Sequence, residues 1–189
     1  MVSASCAGVA LIKEVNKMKI EISKRNLTIL TLAAVLVLAF GIWTIGGLAE
    51  SNAMEMKAEL QGYEEVPAIS TTGSGELKLK VSKDETSIDY ELSYAGLEGV
   101  PFVSHIHLGQ RGVNGDPIAF LCGGGGKPAC PASGTVTGTI IPADIIGPAG
   151  QGIAAGEFAE ALQAMRSGAT YANVHTTTWP GGEIRGQIK

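Results

Sequence analysis

The chain has 189 residues, 45% of them hydrophobic, 17% charged and 5% aromatic, with 26 glycines and a formal net charge of −4. That composition excludes a disordered, collagen-like or nucleic-acid-coating protein and leaves one ordinary domain plus an apolar segment. With few aromatics and many glycines, a core has to be assembled from Val, Ile, Leu and Ala between tight turns, which favours β structure.

Charge divides at Glu50, with a net of +3 over residues 1–49 and −7 over residues 50–189. The acidic remainder argues against nucleic acid as a partner. Residues 1–26 read as a basic cytoplasmic n-region. Met18 opens a cleaner one, MKIEISKRN, so 1–17 is a candidate mis-assigned start that would take Cys6 with it. Residues 27–49 are uncharged and long enough to cross a hydrocarbon layer of roughly 30 Å as a hydrophobic helix. Two readings stay open: a signal peptide cut after Ala49 or Ala53, or a retained transmembrane anchor, since an ordinary signal core has about 7–15 residues. Both place the rest of the chain outside the cytoplasm, secreted or membrane-anchored. Residues 50–56 then serve as a linker and 57–189 as the folded domain.

Strands are expected at 54–60, 76–81, 88–92, 102–108, 135–141, 171–176 and 183–188, from period-2 alternation between Gly- and Pro-containing turns. ELKLKV and IDYEL, joined by SKDET, form an expected antiparallel hairpin. Glu64 and Glu65 in GYEEVPA read as a solvated strand end. One helix is expected over 156–167, where Phe158, Leu162 and Met165 share a face and Gly168 can end it. Cys122 and Cys130 bracket CGGGGKPAC, an exported pair that suggests a disulfide, with two free thiols as the alternative.

All three histidines fall in the exported part, His105 and His107 in VSHIHLG and His175 in YANVHT. A strand puts residues i and i+2 on one face, so His105 and His107 point together, opposite Ile106. The same parity turns Tyr171, Asn173 and His175 outward, and Glu183, Arg185 and Gln187 likewise. If these strands are neighbours, a polar face gathers three imidazoles that could ligate copper or zinc, with Asn173, Glu183 and Arg185 orienting them. Affinity would then fall as imidazoles protonate through roughly pH 6.5. The competing reading is a polar sheet surface whose structural histidines hydrogen-bond to Asn173, Glu183 or a loop carbonyl, and a plain Glu183–Arg185 surface ion pair. No nucleophile elbow, zincin helix or dinucleotide fingerprint is present, so no catalytic residue is assigned.

ELQGYEEVPA at 59–68, SHIHLGQRGVNGDP at 104–117 and YANVHTTTWPGGEIRGQI at 171–188 together resemble the CHRD domain, named after chordin and also found as single-domain prokaryotic proteins. Ala68 departs from the family pattern, standing where a second Pro is frequent. The resemblance covers residues 57–189 and implies an extracytoplasmic all-β protein. Its expected fold is an immunoglobulin-like or copper-zinc superoxide dismutase-like antiparallel sandwich or barrel with one short connecting helix. Chordin is a secreted antagonist that binds proteins, which implies a surface protein partner as an alternative function. A looser likeness to copper-zinc superoxide dismutase implies a third reading, a copper redox enzyme, although the histidines of a complete two-metal site are missing.

Overall fold

The computed structural model describes residues 53–189, with residue 16 alone before them. The expected hydrophobic span at 27–49, its cleavage point after Ala49 and the alternative start at Met18 lie outside the described residues. Among the described residues no helix is long and apolar enough to cross a membrane.

Residues 53–189 form one compact unit built on eight strands. These are β1 (Glu55–Gln61), β2 (Ser74–Val81), β3 (Ile88–Ala95), β4 (Pro101–Leu108), β5 (Pro117–Cys122), β6 (Gly134–Ile140), β7 (Thr170–Thr176) and β8 (Ile184–Gln187). All pairings are antiparallel, in the order β5-β4-β7-β8-β1-β2-β3-β6. The two outermost strands, β5 and β6, approach each other, so the sheet curls into a nearly closed barrel. Across this seam the Tyr90 hydroxyl of β3 donates to Leu121 O of β5 at 2.7 Å, in space left by the missing side chain of Gly138 on β6.

Alternation explains the barrel. In β1 Met56, Ala58 and Leu60 are buried while Glu55, Lys57, Glu59 and Gln61 are exposed, and the hairpin of β2 and β3 repeats the pattern with Leu77, Leu79, Ile88, Tyr90 and Leu92 inside. The helix α1 (Phe158–Arg166) buries Phe158, Ala161, Leu162 and Met165 and gives way to Gly168 at φ +70°, a left-handed position that glycine takes without strain.

The expected strands are all present with ends shifted by a few residues, and β5 is additional. Its sequence PIAFLC is a short continuous apolar run with no alternation, and it is buried nearly throughout. GYEEVPA is corrected as well. It carries a 3-10 turn over Gly62–Glu64, and Glu65, expected to be solvated, is only 7% exposed.

Candidate metal centre

The three histidines occupy the outer face of β4 and β7, opposite the barrel core. β4, β7 and β8 are consecutive in the sheet, with His105 across from Asn173, and Asn173 across from Arg185. Parity therefore predicts the face correctly but not its exposure: Tyr171, Asn173, Glu183 and Arg185 are all at least nine-tenths buried. Loops cover this face. Glu65 and Gly182 lie over Asn173, and the 109–116 loop lies over Tyr171 and Arg185.

His107 Nδ1 lies 2.9 Å from Gly115 O and His175 Nδ1 lies 3.0 Å from Pro180 O. A carbonyl only accepts, so both Nδ1 atoms carry the hydrogen and both Nε2 atoms present a lone pair, that of His175 accepting from His105 Nδ1. His107 Nε2 is buried with no hydrogen-bond partner. His175 Nε2 faces His105 Nδ1 at 3.3 Å. Three ligand atoms, one from each histidine, lie within 4.8 Å of one another. Nitrogens at about 2.0–2.1 Å from a tetrahedral zinc stand about 3.3–3.4 Å apart, so the His105–His175 pair already has the spacing of two ligands of one ion.

Burial pushes His105 down to about 3, helped by the nearby His107 and His175, and pushes His107 down to about 4 against the pull of the Gly115 carbonyl. Burial also lowers His175. The imidazoles are therefore neutral at physiological pH, the form that ligates metal.

Around them, Tyr171 stacks on His107 with ring centroids 4.8 Å apart, and the Arg185 guanidinium lies 3.4 Å over the other face of Tyr171. Arg185 also donates to Asn114 Oδ1 at 3.0 Å and Val113 O at 2.7 Å, while the Tyr171 hydroxyl meets both Gly115 N and Gly115 O at 3.2 Å. This network holds the loop that presents Gly115 O to His107. Glu183 accepts from Glu98 N at 2.6 Å, Thr176 Oγ1 at 2.7 Å and Thr71 Oγ1 at 2.8 Å. Burial would raise its carboxyl, but these hydrogen bonds override it and hold the pKa below the ordinary value. Glu183 thereby pins the turn that presents Pro180 O to His175. No Glu183–Arg185 surface pair forms, because each buried charge is spent on a different loop.

Asn173, expected to orient the histidines, stands across from His105 and donates to both Glu65 carboxylate oxygens at 3.1 Å. Burial raises Glu65 to about 7, against the Asn173 hydrogen bond and the charge of Arg185. The direct partners of His107 and His175 are thus two loop carbonyls, the third of the partners expected for structural histidines, and neither Asn173 nor Glu183. The only sequence signal for them was the glycine content of the two loops, NGD and PGGE. Cys122 and Cys130 form a disulfide, with Cα atoms 5.1 Å apart.

The CHRD domain family model matches residues 56–188, and the chain belongs to that family. The domain and its disulfide are of the extracellular type. No curated protein and no solved structure matches the chain.

Proposed function

We propose that this CHRD domain holds one zinc or copper ion outside the cytoplasm through His105, His107 and His175. The observation that carries the reading is the buried, unpartnered Nε2 of His107, aimed into a group of three neutral imidazoles whose neighbours are already tied to carbonyls. An unpaired buried nitrogen is costly, and a cation is the partner that three lone pairs have in common. Three histidine ligands leave a fourth position open, where a bound ion would act as a Lewis acid or, for copper, as a redox centre. In this reading Arg185 and Glu183 are positioning groups that act through Gly115 O and Pro180 O, and Asn173 anchors Glu65 beneath the site. Residues 27–49 deliver the domain as a signal peptide or remain as a membrane anchor.

Elemental analysis and zinc and copper titration of the purified full-length chain test this. Stoichiometric binding, lost in His105→Ala and His175→Ala with the fold retained, is the expected result. No binding by the folded wild type transfers the function to a surface protein-interaction module, whose contact candidates are the exposed Tyr63, Val100, Phe102 and Val113.

A further inference from the structure

His107 and His175 each have a backbone carbonyl to fix the ring, whereas the polar contact of His105 is to His175. What bears on the His105 ring from outside the trio is Phe120, directly opposite it across β4 and β5, with centroids 4.5 Å apart and planes inclined at 61°. Phe120 lies in turn under the glycine run of CGGGGKPAC. A Cβ on Gly124 would collide with the Phe120 ring, and one on Gly125, where φ is +57°, would stand 2.6 Å from Phe120 Cδ2. Only bare backbone fits there.

The loop that supplies this backbone is fastened three times. Cys122 and Cys130 close it, Gly123 N–H donates to Pro128 O at 2.7 Å, and Lys127 Nζ reaches Thr139 O at 2.7 Å and Asp144 Oδ2 at 2.9 Å. The Lys127–Asp144 pair is well shielded, with side chains 13% and 18% exposed, which makes it a firmer anchor than an open surface pair.

We propose that Phe120, clamped by the disulfide-closed glycine loop, is the positioning residue of His105. It supplies by packing the orientation that carbonyls supply to the other two histidines, and so couples the loop to metal affinity. This rests on the three-histidine reading of the metal centre.

The test titrates zinc into the full-length chain against a competing chelator and records the visible bands of the Co(II) form, which report ligand geometry. Phe120→Ala and Gly124→Ala should each weaken zinc by about 10- to 100-fold and alter the Co(II) bands, the usual size of an outer-sphere effect. Cys122→Ala/Cys130→Ala should move both in the same direction. Phe120→Tyr should restore wild-type values, and Gly150→Ala, outside the loop and where a Cβ meets nothing within 4 Å, should leave affinity unchanged. Nuclear magnetic resonance of the metal-free protein adds a readout that needs no ion: a single His105 ring orientation in contact with Phe120, averaged in Phe120→Ala. Stoichiometric wild-type binding with unchanged affinity and spectrum in folded Phe120→Ala overturns the positioning role. A wild type that binds no zinc overturns the metal reading, and a His105 ring still fixed in metal-free Phe120→Ala overturns the packing argument on its own.

Discussion

At His105 and His107 burial displaces the ordinary histidine pKa of 6.5 to about 3 and about 4, and this sets how acid can reach the site. Ligation requires unprotonated nitrogen, so the pH at which a metal leaves follows the folded-state values rather than those of a free imidazole. Free imidazoles would release a metal through roughly pH 6.5, and the buried rings favour release at lower pH. Because burial lowers all three rings, zinc retention measured by equilibrium dialysis should be lost at a lower pH than the 6.5 of a free imidazole. Loss centred near 6.5 would show the rings to be hydrated. Glu65 shifts in the other direction, from 4.5 to about 7, through burial. Its native form stays protonated while the unfolded chain ionises, so its contribution to stability is present below pH 4.5 and declines as pH rises to about 7. The decline amounts to about 3 kcal/mol. Urea denaturation of metal-free Glu65→Gln against wild type should show the variant gaining that amount, relative to wild type, between pH 4.5 and 8. Parallel pH profiles would contradict it.

Among elements, the short β8 organises the covered face. Arg185 and Glu183 flank Ile184, which points into the core, and each clamps one of the loops whose carbonyl orients a histidine. Lysine cannot reproduce the guanidinium fork or its stacking on Tyr171. Arg185→Lys should cost about 2–3 kcal/mol of stability and raise amide exchange at Gly115 while leaving α1 protected, as read by hydrogen exchange. Unchanged exchange at Gly115 would remove Arg185 from the support of that loop. Much at this scale was legible: His105 and His107 at i and i+2, with His175 on a parity-matched strand, predict a shared face from strand geometry alone. Coverage was not legible. Burial of Asn173 and Glu65 depends on where the 62–66 and 177–183 segments fold back, and backbone carbonyl partners carry no residue-type signature. β5 escaped because PIAFLC has no alternation to read.

For the whole molecule, the barrel is closed by weak contacts at one seam, and Tyr90 carries a hydrogen bond across it. Tyr90→Phe leaves Leu121 O without that donor and should destabilise the domain by about 1–2 kcal/mol in thermal unfolding, without changing zinc stoichiometry because the Tyr90 hydroxyl is buried inside the barrel while the histidines stand on the outer face of β4 and β7. Loss of binding in that variant would mean that closure and site are coupled. The barrel keeps the imidazoles on one face while loop carbonyls fix two of the rings, so in the proposed three-histidine reading the ligands are brought together before an ion binds. The most direct measurement of that claim is X-ray absorption spectroscopy on the stoichiometrically zinc-loaded chain. Three imidazole nitrogens at about 2.0–2.1 Å, one further light atom and no sulfur are expected. A six-oxygen shell, a sulfur scatterer or fewer than three imidazoles would contradict it.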